Sequence, residues 1–362
     1  MNILVLPPSG GSYNSLRPEM EIYVDLAKAG HNISIIIEAG KEYIPRFLEH
    51  GIDIIHCPPK HKISFANIRL IRQTIRQKNI NIVYASHSRT IPNSAFACIG
   101  MPVKLAVYRG TASGLYWHDP SNYLGMLNPR IDGIICVSQY VCDYVASKKI
   151  LKNKYIKTIH KGHELSWYNK PAADLSEFGI GPTDFSAICV INNRPHKGLD
   201  IVLRASNRLA QLENFHLLLV GQGADREPYK SLIENSKMRD RIHIAGYRND
   251  APELIAASDI LIQPSTGGEG LPRAILESLA YGTPVLSSAN PGSMEIISDG
   301  ENGYIVPVAD SDAIADCLIK LYDSPETLAT LSANSKKVIE GKMSHQLTVR
   351  KHIEFFENLL KR

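Results

Sequence analysis

Residues 259–288 read DILIQPSTGGEGLPRAILESLAYGTPVLSS. A short apolar run, ILIQ, leads through a glycine-rich loop into a segment where Leu271, Ile275 and Leu279 recur every four residues. A second apolar run, PVLSS, follows at once. Period four between two short β-rich runs predicts strand, helix, strand, the repeating unit of a parallel sheet. Pro272 suits the first helical turn, where its missing N–H is no loss.

The same alternation runs outward in both directions. Upstream lie the strands SAICVINN, HLLLVGQG and IHIAGY, with helices over GLDIVLRASNRLAQL, REPYKSLIENSKM and 251–257. Downstream come MEIIS and GYIVPV, read as strands, and the helix DAIADCLIKLY. The first half repeats the scheme with NILVL, NISIIIE, IDIIH, NIVYAS, KLAVYRG, DGIICVS and YIKTIHKG as strands. Between residues 168 and 185 the pattern lapses into WYNKPAADLSEFGIGPTD, where a linker is expected. A chain of 362 residues exceeds what one core organises. The reading is therefore α/β, two Rossmann-like doubly wound domains facing across a cleft. They span residues 1–170 and 171–343, and 344–362 form a final helix of undetermined packing. Open α/β sheets bind ligands at the carboxyl ends of their strands, which places the site there.

With 44% hydrophobic and 21% charged residues the composition is that of a globular protein, and no apolar run reaches the ~18 residues that span a bilayer. MNILVLPPSGG lacks a basic n-region and a cleavage site, so it reads as a buried strand and points to a cytoplasmic location. The six cysteines follow no disulfide or zinc spacing. Charge divides unevenly: residues 1–170 hold 21 Lys+Arg against 11 Asp+Glu, and the remainder 19 against 25. The basic half should attract an anion, whether a phosphate-bearing acceptor, a bilayer surface or nucleic acid. No nucleic-acid motif accompanies the charge. ANIRLIRQTIRQK sets Arg69, Arg72 and Arg76 beside an isoleucine stripe, and KKILKNKYIKTIHK adds six lysines, so peripheral contact with an anionic membrane is better supported than nucleic acid, the plain alternative being solvated helix faces.

Glycines 267, 268 and 270 let backbone approach a ligand, and the helix behind them offers free amides and a positive dipole end to an anion. Glu269 and Glu277 are candidates to grip sugar hydroxyls, each oxygen accepting charge-assisted hydrogen bonds. The plain alternative is a surface i,i+4 pair between Arg273 and Glu277, with Glu269 only complementing the dipole. DILIQPS, the two glutamates eight apart, GTPVLSS and EIISDGENGYIVPV closely resemble family 4 glycosyltransferases, retaining enzymes of the GT-B fold. The resemblance covers about residues 186–325 and is confined to general layout over 1–170.

That resemblance implies that Glu269 holds the transferred sugar and Glu277 the ribose of a nucleotide-sugar donor, with the Gly270 and Leu271 amides facing sugar and diphosphate. It implies that Lys197 and Arg194, in NNRPHKGLD, neutralise the diphosphate; the family's usual arginine position is occupied by Asn192 and the role is carried to Arg194. Gly246 and Tyr247 match the loop that contacts the base, and Gly10 and Gly11 the loop that approaches the donor phosphate. In place of the His-Asp of many relatives this chain has Arg109, while His118-Asp119 lies in the following loop; either Arg109 or His118 reaches the sugar or acceptor. The expected activity is metal-independent, retaining hexosyl transfer (EC 2.4) from a UDP- or GDP-sugar to a saccharide or lipid-linked acceptor in surface polysaccharide or lipopolysaccharide synthesis. No cofactor is expected beyond the donor as co-substrate, and no metal, since Asp310-Ser311-Asp312 precedes a helix as an N-cap should. The rivals are a nucleotide-sugar epimerase and a non-catalytic nucleotide-sugar-binding paralogue.

Overall fold

The computed structural model describes residues 1–8, 10, 13–57, 61–192 and 194–362. The chain divides into two compact units, Met1–Lys161 with His345–Arg362, and Gly162–Ser344.

In the first unit the described residues form a seven-stranded sheet, β1 (Asn2–Leu6), β2 (Asn32–Ile37), β3 (Asp53–His56), β4 (Ile82–Ala85), β5 (Lys104–Arg109), β6 (Gly133–Cys136) and β7 (Tyr155–Thr158). Every pairing is parallel, in the order β3-β2-β1-β4-β5-β6-β7. Strands so enclosed need apolar side chains on both faces, and Ile3, Leu4 and Val5 are all fully buried.

The last helix, His345–Leu360, belongs to this unit. Val349, Phe355, Phe356 and Leu359 lie in one core with Ile3, Tyr84, Ala106 and Ile135. It sits so close to β6 that a Cβ on Gly133 would come within 2.8 Å of the Phe355 ring. Polar contacts fix its register: His345 Nε2 meets Asp25 Oδ2 at 3.0 Å, and Thr348 Oγ1 donates to His160 O at 2.8 Å.

The second unit holds a six-stranded parallel sheet, β8 (Phe185–Val190), β9 (Phe215–Val220), β10 (Ile242–Gly246), β11 (Ile260–Gln263), β12 (Val285–Ser288) and β13 (Gly303–Val306), ordered β10-β9-β8-β11-β12-β13. Residues 162–170 join this unit, not the first, because Leu165 and Tyr168 pack against its core.

Several elements differ from the sequence reading, among them the short helix Pro120–Leu124 in a segment expected to be loop. MEIIS is not a strand: Pro291–Met294 is a helical turn, and the N–H groups of Ile296 and Ile297 both donate to Ser293 O at 2.9 Å, closing that turn instead of pairing with a neighbouring strand. The helices Thr90–Cys98 and Pro325–Glu340 were not expected at all.

Candidate functional site

The strand order of each unit reverses once, between β1 and β4 and between β8 and β11. Open α/β sheets take ligands outside the carboxyl ends of their strands at such a point, where the loops leaving two adjacent strands lie side by side. In the second unit those loops are 191–198 and 264–272, which carry Lys197 and Glu269. Residues 72 apart in sequence are thereby neighbours: Lys197 Nζ donates to Glu269 Oε1 at 2.5 Å.

The surrounding backbone enforces this contact. Gly198 has φ +72°, and a Cβ there would lie 2.2 Å from Pro264 O. Thr266 N–H donates to His196 O at 2.8 Å, sealing one loop on the other. Glu269 Oε1 also accepts from Ser265 Oγ at 3.0 Å, and Ser265 Oγ accepts from Gln263 Nε2 at 2.7 Å. From the far side, a Cβ on Gly292 would come within 2.6 Å of Gly270 O, so the turn Pro291–Met294 buttresses the glycine loop. The amides of Gly270 and Leu271 have no acceptor among the described residues.

Glu277 occupies the middle of the helix Arg273–Tyr281 and is buried. Arg273 Nε does approach it, at 3.1 Å, so the i,i+4 pair exists, yet the carboxylate is not at the surface. Burial pushes its pKa up to about 7; the half-exposed Arg273 offsets only part of that cost, and Glu253 adds to it. Glu253 comes from the helix Ala251–Ala257, with Oε1 3.2 Å from Lys170 Nζ and a buried Oε2 that has no partner among the described residues. Sequence reasoning missed Glu253, Ser265 and Gly292. For Glu253 a signal was present, an acidic residue directly before Leu254-Ile255 on the core face.

Arg194 is exposed, with no side-chain partner among the described residues, so the structure does not bring it onto the Lys197–Glu269 pair. Gly246, at φ +66°, accepts at its carbonyl from Gly221 N–H at 2.7 Å, and Tyr247 beside it is exposed. The Asp310 side chain accepts from Ala313 N–H at 2.9 Å as a helix cap, and Asp312 pairs with Arg208.

In the first unit Gly10 is exposed, and Gly11 lies outside the described residues. The Arg109 guanidinium turns back on its own loop, donating from Nε to Thr111 O at 2.8 Å and also to Ser113 O. His118 stacks on Tyr116 at 5.5 Å, and Asp119 caps the short helix Pro120–Leu124 by accepting from Ser121 N–H. The basic stretches are partly consumed by structure. Arg72 donates to Ala97 O and Ile99 O, Lys154 to Pro129 O, and Lys161 to the buried Glu19 at 2.6 Å. No helix among the described residues is long and apolar enough to cross a membrane.

Comparison with known proteins gives two family matches in tandem, "Glycosyltransferase Family 4" over residues 20–167 and "Glycosyl transferases group 1" over 173–338. The chain is 23% identical to N-acetyl-alpha-D-glucosaminyl L-malate synthase of Bacillus anthracis, over 94% of its own length and 93% of that protein's. It is 29% identical to the lipopolysaccharide core biosynthesis glycosyltransferase LpsE of Rhizobium meliloti, over 41% and 43% of the two lengths. Among solved structures, Anabaena HepE in complex with UDP-glucose matches with a TM-score of 0.78 at 19% identity, covering 99% of this chain and 100% of that one. The fold is thus the GT-B architecture of two parallel-sheet units.

Proposed function

The chain belongs to glycosyltransferase family 4, and on that premise we propose that it moves a hexose-type sugar from a UDP- or GDP-sugar to a saccharide or lipid-linked acceptor, with retention, in surface polysaccharide or lipopolysaccharide synthesis. The observation that carries the reading is the Lys197–Glu269 contact at the switch point of the second sheet. A carboxylate within the glycine loop and a cation held beside it offer one group to sugar hydroxyls and one to a diphosphate. HepE, solved with UDP-glucose, supports a nucleotide-sugar donor.

Paired with one another, the Lys197 ammonium and the Glu269 carboxylate each neutralise the other's charge. A diphosphate arriving at Lys197 competes for its ammonium and frees Glu269 to accept from the sugar. Glu277 takes the ribose, the Gly270 and Leu271 amides the diphosphate, and the Gly246–Tyr247 backbone the base. Arg194 supplies a second positive charge from the same loop as Lys197. The glycosidic bond from C1 to the diphosphate oxygen breaks, and a bond from C1 to the acceptor oxygen forms on the same face. The acceptor's proton passes to the departing diphosphate, whose charge is stabilised by Lys197 and oriented amides. This route calls on no divalent ion. Peripheral attachment to the inner membrane face would use the exposed Arg69, Arg76, Lys149, Lys152 and Lys157, each worth about 1 kcal/mol near anionic lipid.

A panel of UDP- and GDP-hexoses, read by thermal stabilisation and then by transfer, tests the proposal. Glu269→Ala and Lys197→Ala should each reduce turnover by about 10²–10³-fold, the scale of a lost charge-stabilising group. Wild-type rates from either variant would overturn the assignment.

A further inference from the structure

The loop leaving β5, residues 111–124, reads TASGLYWHDPSNYL. Four rings, Tyr116, Trp117, His118 and Tyr123, fall within it, and it holds no Lys or Arg. Trp117 is 80% exposed and Tyr116 54%. Such exposure usually accompanies a loose loop, yet this backbone is tied down. Arg109 holds the carbonyls of Thr111 and Ser113, and Leu115, itself buried, donates its N–H to Tyr144 Oη at 3.0 Å. Asn122 Nδ2 donates to Tyr116 O at 3.2 Å and Tyr123 Oη to Trp117 O at 2.9 Å. The rings order one another, His118 stacking on Tyr116 and meeting Trp117 edge-on at 5.7 Å.

We propose that this loop is a saccharide-stacking platform, the subsite through which the first unit takes the sugar of the acceptor. The proposal rests on the glycosyltransferase reading and adds the acceptor's chemical class. One face of a pyranose presents C–H bonds of partial positive charge, which suit the negative face of an aromatic ring. Its rim presents hydroxyls, which suit the imidazole of His118, the carboxylate of Asp119 and the amide of Asn122 among the rings. Rings already fixed in place lose little entropy on contact. An anionic bilayer fits this surface poorly: interfacial segments pair their aromatics with Lys and Arg, whereas the charge within this loop is the carboxylate of Asp119.

The full chain contains two tryptophans, Trp117 and Trp167. A Trp167→Phe variant therefore reports on Trp117 alone. Titrating it with neutral di- to tetrasaccharides of glucose, galactose, mannose and N-acetylglucosamine should give a saturable emission change with at least one series. Trp117→Ala, in an otherwise native chain, should weaken that saccharide on the order of tenfold, the scale of one lost aromatic stacking contact, while stabilisation by the nucleotide-sugar panel is unchanged. Silence toward every saccharide in a chain that a nucleotide sugar still stabilises would overturn the platform. So would an emission change with phosphatidylglycerol vesicles but no saccharide, which would make the loop a membrane element. A saccharide response without any nucleotide-sugar response would keep the platform and overturn the donor reading instead.

Discussion

Lys197 and Glu269 meet because one residue between strand and helix has no side chain. Any other residue at 198 would have to hold φ +72° and place its Cβ 2.2 Å from a backbone oxygen, so the loop must move. Gly198→Ala is therefore expected to cost about 1–3 kcal/mol in backbone strain and to draw Lys197 off Glu269, lowering turnover more than it lowers the melting temperature. Thermal unfolding and initial rates of the purified variant check this, and native behaviour in both would refute it. The pairing of these two residues was only half legible. The sequence marks Glu269 by its glycines and Lys197 by its place at a helix start, but their direct contact depends on β8 and β11 being neighbours. Glu277 was harder. Its spacing from Arg273 suggests an exposed pair, and only the packing of the helix Ala251–Ala257 against Arg273–Tyr281 puts the carboxylate inside. Arg109 looks from sequence like a group aimed outward at the strand end, whereas its donors are engaged by carbonyls two and four residues on.

Among the elements, those the sequence predicts best are the buried parallel strands, since continuous Ile, Val and Leu runs bounded by turn residues have few other readings. The missed helices lack such a signature. Pro325–Glu340 buries Leu331, Ser335 and Ile339, a stripe interrupted by a serine whose hydroxyl donates to Leu331 O. Thr90–Cys98 is buried nearly all round and contains Pro92, so no amphipathic period is visible. The final helix has a clear period but no sequence signal for its partner. Phe356 decides that question: it is fully buried and lies edge-on to Tyr84 of β4 at 5.5 Å. Phe356→Ala should destabilise the first unit by about 3–5 kcal/mol through the cavity it leaves, without weakening nucleotide binding by the second. Hydrogen exchange localised to each unit tests this, and equal loss of protection in both would contradict it.

At the scale of the whole molecule, one buried group in each unit, His352 in the first and Glu277 in the second, contributes to stability with pH in opposite senses. His352, fully buried in the first, is driven down to about 4 from 6.5 by burial. The unfolded chain binds that proton more readily, so the first unit loses about 3 kcal/mol as pH falls from 6.5 to 4. Glu277 in the second is raised from 4.5 to about 7, so the folded form binds the proton more tightly. Its contribution, also about 3 kcal/mol, is whole below pH 4.5 and is lost as pH rises through 7. Between pH 4.5 and 6.5 the His352 contribution to exchange protection at Ile3–Val5 should therefore rise with pH, while the Glu277 contribution to protection at Ile188–Val190 falls. His352→Leu should reduce the rise in the first unit and Glu277→Gln the fall in the second, and a pH slope left unchanged by its own substitution would contradict that assignment. The placement of the last helix also bears on biosynthesis. A ribosome emits residues 1–161, then all of 162–344, and only afterwards the segment whose phenylalanines complete the earlier hydrophobic interior. For roughly 10–40 s of translation the nascent first unit waits with that interior open, although it was made first. A chain arrested just before His345 would carry a finished later unit and an unfinished earlier one, the reverse of vectorial assembly.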